Sequence, residues 1–239
     1  MAGGAYTALS GLRTRFAQLD RVASDLANVN TSGYKSERVT TVAAERPDFS
    51  QALQSAVDVT SGPARFDMRS GSLTTTGRDL DFALEGTGFF EIETPQGIRY
   101  TRNGQFERRA DGTLVTSDGC PVRGANGVIK LAKGDVTFDE DGTIRAGGTM
   151  AGKLNVVDFA DYTGLRREEH GRFAYVGSQA AQPGGSAVRN RTLEGSNVSA
   201  VDGMVQLTDV KRAFEGLQRG LTVLFNDVDG RAITELGRR

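Results

Sequence analysis

The sequence predicts an α+β protein that is mainly β: a central Gly-rich antiparallel β domain flanked by N- and C-terminal coiled-coil helices. Two observations carry this. Apolar residues recur at 3-4 spacing near both ends, at Leu9, Leu12, Phe16, Leu19, Ala23 and Leu26, and again at Leu207, Val210, Phe214, Leu217, Leu221, Leu224 and Val228. Each set makes one narrow helical seam. Between them, glycines punctuate short segments that keep strand-like alternation, so the density marks turns rather than disorder. The 239 residues divide into an N-terminal helix with its closing turn (1–35), an extended connector (36–75), the β domain (76–190) and a C-terminal helix (191–239).

The first helix is expected from about Ala5 to Asn28. Arg13, Arg15, Asp20, Arg21 and Asp25 fall off its apolar stripe, and Asn-Val-Asn-Thr-Ser-Gly at 28–33 supplies residues that end it. In the connector, Phe49, Leu53 and Val57 suggest a short helix around 50–57, broken by Ser61-Gly62-Pro63. Alternating residues beside Asn103-Gly104, Asp111-Gly112 and Asp141-Gly142 predict successive hairpins with tight type I′ turns, because these pairs tolerate positive φ. Phe89–Glu93 and Lys153–Phe159 read as better-buried strands and Phe173–Val176 as the last one, before a linker-like Gln182-Pro183-Gly184-Gly185-Ser186. The final helix should begin near Ser199 or Asp202, either a reasonable N-cap, and run to about Val228 or beyond. Gly216 and Gly220 inside it cost roughly 1 kcal/mol each relative to Ala. Packing must supply what such a helix lacks alone.

Composition excludes several functions. The net charge of −1 gives no basic surface for nucleic acid. No apolar run approaches the ~20 residues that span a bilayer, and Arg13 and Arg15 interrupt the block that a cleaved secretion signal needs. That absence suggests the cytoplasm, unless export leaves the N-terminus intact. Cys120 is the single cysteine and reads as a packing residue. His170, the single histidine, sits in the polar stretch Glu168-Glu169-His170-Gly171, which rules out a His-based metal cluster and reads as solvated. Gly147 to Lys153 match the Gly-x4-Gly-Lys half of a phosphate loop, but Leu154 lacks the Mg²⁺-binding hydroxyl and a strand follows where a helix should. Asp139-Glu140-Asp141-Gly142 is part of a calcium-loop pattern whose first and twelfth positions, Thr137 and Gly148, carry no carboxylate. A glycosidase-like carboxylate pair has no locating signal. No catalytic, cofactor-binding or metal-ligating residue is assigned, no cofactor is expected, and the chain reads as a non-enzyme.

The terminal stripes leave two readings open. They could pair with each other as an antiparallel staple on the β body, or serve as seams between copies. Small or polar neighbours (Ala8, Ser10, Ala17, Ser24, Thr208, Ala213) suit packing among several helices.

Ala27-Asn28-Val29-Asn30-Thr31-Ser32-Gly33-Tyr34-Lys35 resembles the Ala-Asn-x-x-Thr-x-Gly-Tyr/Phe-Lys/Arg signature that closes the first helix of bacterial flagellar rod and hook proteins. Thr76 to Phe90 resemble the segment that opens the β domain of that family. Tyr100 to Phe106, Asp111 to Gly119 and Leu193 to Val198 continue the resemblance over essentially the whole chain. The short length and the Ala5-Tyr6-Thr7-Ala8 start are more similar to the proximal-rod branch than to the distal-rod branch. The resemblance implies a structural subunit of the basal-body rod, the drive shaft that crosses the periplasm. It implies export without a cleaved signal through the flagellar export apparatus, and partners that are other copies and other rod proteins, with no nucleic acid and no membrane insertion. It further implies an assembly interface at Leu9, Leu12, Phe16, Leu19, Leu26, Asn28, Thr31, Gly33, Tyr34, Leu207, Val210, Phe214, Leu217, Leu221, Leu224 and Val228. The rival readings are a monomeric β-rich binding module with a helical staple and, behind it, a cell-wall hydrolase.

Overall fold

The computed structural model describes residues 2–39, 64–139, 142–177, 179 and 181–236. They fall in two units, one holding the helices α1 (Ala2–Ala27) and α2 (Ala200–Leu236), the other made of residues 28–38 and 65–198. The helix expected around 50–57 lies outside the described residues.

In the helical unit, α2 starts where a cap is available. Ser199 Oγ accepts the Asp202 N–H at 3.3 Å and the Ser199 carbonyl accepts the Gly203 N–H at 2.9 Å, while Asp202 places negative charge against the positive end of the helix dipole. The two helices pair antiparallel within the chain. A Cβ on Gly11 would lie 3.7 Å from Leu217 Cδ1, and one on Gly203 would lie 3.6 Å from Leu26 Cδ1. Gly203 is buried, so a residue without a side chain sits where Leu26 packs.

The β unit is built on a six-stranded antiparallel sheet. Its order is Leu165–Arg167, Arg172–Tyr175, Gly97–Thr101, Phe89–Thr94, Val156–Asp158 and Gln182–Pro183. Period-two alternation along Phe89–Thr94 splits the core. Phe90 and Ile92 join Phe82, Leu84, Phe106, Leu114, Val122 and Ile144 in one cluster, whereas Phe89 joins Phe66, Val157, Phe159, Leu165 and Phe173 in the other. Edge-to-face ring pairs fix both, Phe90 on Phe106 at 5.3 Å and Phe66 on Phe173 at 5.0 Å between centroids.

The turns divide the sequence expectations. Asp111-Gly112 does close a hairpin, pairing Phe106–Arg108 with Leu114–Thr116. It is not type I′, because only Gly112 has positive φ (87°); Asp111 Oδ1 instead accepts the Thr113 N–H at 2.9 Å. Gly142 (φ 82°) likewise precedes a strand, Thr143–Ala146, that pairs with Val136–Phe138. Asn103-Gly104 is no hairpin turn. Gly104 lacks positive φ, and a Cβ there would overlap the Phe82 carbonyl, while the Gly104 carbonyl accepts the Phe82 N–H at 3.0 Å. Close approach, not turn geometry, demands that glycine. The phosphate-loop look-alike is itself a two-residue hairpin, with Gly147 at φ 58° and Gly148 at φ 81° between Ala146 and its partner Thr149.

The strand Arg172–Tyr175 is not the last. Gln182–Pro183 forms an edge of the large sheet, where a missing N–H is tolerated. Ala187–Asn190 then pairs with Phe82–Glu85, and Thr192–Glu194 with Leu73–Thr75. The expected linker is therefore part of the β structure.

Candidate functional site

Two features concentrate function-bearing residues: a buried ionic cluster inside the β unit and the helix pair. The cluster begins at the turn after α1. Asn28 caps it twice, its carbonyl accepting the Thr31 N–H and its Oδ1 the Thr31 hydroxyl, both at 3.1 Å. Gly33 follows at φ 70°, donating its N–H to the Glu194 carbonyl at 2.8 Å. A Cβ at Gly33 would stand 2.6 Å from the Arg102 carbonyl oxygen and closer still to Arg102 C and Asn103 N. Only glycine fits there.

Tyr34 and Lys35 then run into the β unit and are buried. The Arg167 guanidinium lies 4.3 Å over the Tyr34 ring and 5.0 Å over Phe66, donates to the Tyr34 hydroxyl at 2.7 Å, and donates also to the Lys35 carbonyl. Lys35 Nζ donates to Glu194 Oε1 at 2.6 Å and to the Arg69 carbonyl at 2.8 Å. The other oxygen of Glu194 accepts from Arg102 at 3.2 Å, and Arg102 also donates to the Gly86 carbonyl at 2.7 Å. The side chains of Lys35, Arg102 and Glu194 are all 0% exposed.

Burial is the leading influence on both cations. It pulls the Lys35 amine and the Arg102 guanidinium below their ordinary values, against the pull of Glu194, which raises them. One carboxylate thus serves two buried cations. The Gly71 N–H joins it at 3.1 Å. Three residues on, Asn197 completes the closure: its Oδ1 accepts the Ser36 N–H at 2.8 Å, its Nδ2 donates to the Asp67 carbonyl at 2.7 Å, and its N–H donates to the Tyr34 carbonyl at 3.3 Å. Residues 33–36, 67–71, 102 and 194–197 are thereby tied at one place. The cluster holds charges and closes chain; it offers no nucleophile and base at a substrate-sized opening.

Of the residues expected at an assembly interface, Asn28 and Thr31 form the capped turn, and Gly33 and Tyr34 lie inside the β unit with partners from the same chain. Leu12, Leu19, Leu26, Leu207, Val210, Phe214 and Leu217 are half-buried in the helix pair. Phe16 is 57% exposed. The side chains of Leu9, Leu221, Leu224 and Val228 lie outside the described part of the structure.

The other candidates resolve plainly. Cys120 is half-buried, with Sγ 3.4 Å from Asp118 Oδ2 and 3.3 Å from Arg172; burial and the Asp118 carboxylate push its thiol up. His170 occupies a left-handed position (φ 60°) at the bend between Leu165–Arg167 and Arg172–Tyr175. Among the described residues, no group of His, Cys, Asp and Glu is placed to hold a metal ion, and no helix is long and apolar enough to cross a membrane.

Three regions of the chain match flagellar families. Residues 6–35 match the family described as flagella basal body rod protein, residues 83–146 the D1 domain of flagellar hook protein FlgE/F/G, and residues 189–223 the C-terminal region of flagellar basal body rod FlgEFG protein. The flagellar basal-body rod protein FlgF of Caulobacter vibrioides is 32% identical, over 92% of each chain. The chain belongs to the flagellar basal-body rod protein family. The Rhizobium meliloti rod protein FlgF is likewise 32% identical over 99% of each chain, and the rod protein FlgG of Bacillus subtilis is 30% identical over 91% of this chain and 93% of its own.

In this rod-family chain, Lys35, Arg102 and Glu194 come from three separate segments that share the family resemblance, and the fold brings them together. The available signal was chemical. Each is a charged residue in a segment that also carries Gly and Asn.

Proposed function

We infer that the chain is a FlgF-like structural subunit of the flagellar basal-body rod that polymerises through α1 and α2 as coiled-coil partners of neighbouring subunits. Export through the flagellar apparatus with the N-terminus intact, and residence in the periplasmic rod, belong to the same reading. Family membership supports the structural role, and the rod proteins it resembles are not enzymes.

The observation that carries the polymerisation step is the face the helix pair leaves uncovered. Of the two predicted stripes, Leu12, Leu19, Leu26, Leu207 and Leu217 are half-buried in the helix pair, while Phe16 at 57%, and Val201, Met204, Val205 and Val223 outside those stripes at 57–71%, are exposed. Val201, Met204 and Val205 follow 3-4 spacing on α2. Covering each such side chain is worth ~1.5–3 kcal/mol. Among the described residues, neither Gly216 nor Gly220 would meet an atom within 4 Å if it carried a Cβ, which a neighbouring helix approaching closely would explain.

The pairing of α1 with α2 is also what a staple on a monomeric module requires. The uncovered apolar face separates the two readings. Phe16→Asp leaves the antiparallel contacts of the single chain in place, so the purified variant should fold normally. In flagellated cells it should fail to restore motility. Full complementation by Phe16→Asp combined with Val205→Asp would overturn the reading.

A further inference from the structure

We propose that Glu194 is the latch of the β unit: docking of the signature segment 33–36 waits on arrival of residues 194–197, so the unit closes only after nearly all of its sequence is available. The partners of 33–36 come from the far end of the unit. Gly33 N–H is accepted by the Glu194 carbonyl, Lys35 Nζ by the Glu194 carboxylate, Ser36 N–H by Asn197 Oδ1, and the Tyr34 carbonyl accepts the Asn197 N–H. Glu194 is 159 residues from Lys35 and 92 from Arg102, so closing these contacts early is entropically remote.

Charge makes the dependence steep. Lys35 and Arg102 are both fully enclosed, and before Glu194 arrives the same site would hold two desolvated cations. Removing one partner from a buried ionic cluster is strongly destabilising because the remaining charge is left without compensation. The Asp67 carboxylate also faces Lys35 but is engaged by Arg69 at 2.6 Å and Arg38 at 2.8 Å. The Arg167 cation lies over the Tyr34 ring and adds to the positive charge about the segment. Until residue 194 is in place, water is the better environment for Lys35, and the segment stays undocked. The latch depends only on the fold and not on the route by which the subunit reaches the rod.

Pulse-labelled hydrogen exchange during refolding of the full chain, read by mass spectrometry, tests the order. Amides of 33–36 should gain protection in the same phase as those of 194–197 and after those of 89–101; protection of 33–36 ahead of 194–197 would overturn the proposal. In the folded state, Glu194→Gln should raise exchange at 33–36 at least tenfold while 89–101 stays as protected as in the parent chain. Should Glu194→Gln alone fail to fold, Lys35→Met/Glu194→Gln, which removes one of the two stranded cations, should recover the sheet. Unchanged exchange at 33–36 in Glu194→Gln, or loss of the sheet in both variants, would contradict the latch.

Discussion

Gly33→Ala and Gly77→Ala together measure how much the docked signature turn contributes to the β unit. Both glycines have the same left-handed backbone, φ 70° and 77°, so both variants carry the ~1–2 kcal/mol that a Cβ costs there. At Gly77 nothing lies within 4 Å of the added atom, and the cost should end at that figure. At Gly33 the atom would stand 2.6 Å from the Arg102 carbonyl oxygen, with the Arg102–Asn103 peptide closer. Since the obstacle is backbone, the turn must move away. That movement takes the Gly33 N–H out of its 2.8 Å bond to the Glu194 carbonyl, and an unsatisfied buried donor costs about 1–3 kcal/mol. The sum is about 2–5 kcal/mol for Gly33→Ala. Urea unfolding followed by tyrosine fluorescence, usable because the chain has five Tyr and no Trp, reads both values. Equal midpoint shifts for the two variants would refute the account of a sterically sealed turn.

Two further outcomes follow from side-chain chemistry. Burial, then the hydrogen bond to Asp158 at 2.7 Å, holds the Tyr162 hydroxyl up to about 12 from an ordinary 10; with the folded value above the unfolded one, its contribution to stability is whole below pH 10 and is lost as pH rises through about 12. The phenolate absorbance of the folded chain should keep a late step that Tyr162→Phe removes, and an unchanged titration in that variant would contradict the assignment. Cys120 should alkylate more slowly at pH 8 than a small free thiol, because burial and Asp118 disfavour its thiolate, and Asp118→Asn should speed it. A rate equal to that of the free thiol would sink this explanation.

How far the sequence could be read depends on the range of the interactions. α1 and the start of α2 were legible because their signals are local: 3-4 apolar spacing, the Asn-Thr-Gly stop and Ser199 as a cap. The hairpin at Asp111-Gly112 was legible for the same reason, though not its turn type, since Asp111 prefers to accept the Thr113 N–H over adopting positive φ. Asn103-Gly104 misled because a glycine needed for turn flexibility and one needed for backbone contact look alike in sequence. The segment at 182–186 reads as a break because Pro and Gly dominate it, whereas pairing at a sheet edge tolerates Pro183. The cluster at Glu194 was invisible because its members are up to 159 residues apart and each alone resembles a solvated surface charge. Division of the α1 stripe between packed Leu and exposed Phe16 required the partner helix to be placed.

Recovery of the Phe16→Asp subunit in purified basal bodies, compared with its amount in the whole cell, tests assembly through the helices most directly. The account predicts normal amounts in the cell and a loss of at least tenfold from the rod fraction. Equal recovery of variant and parent chain from the rod would contradict it.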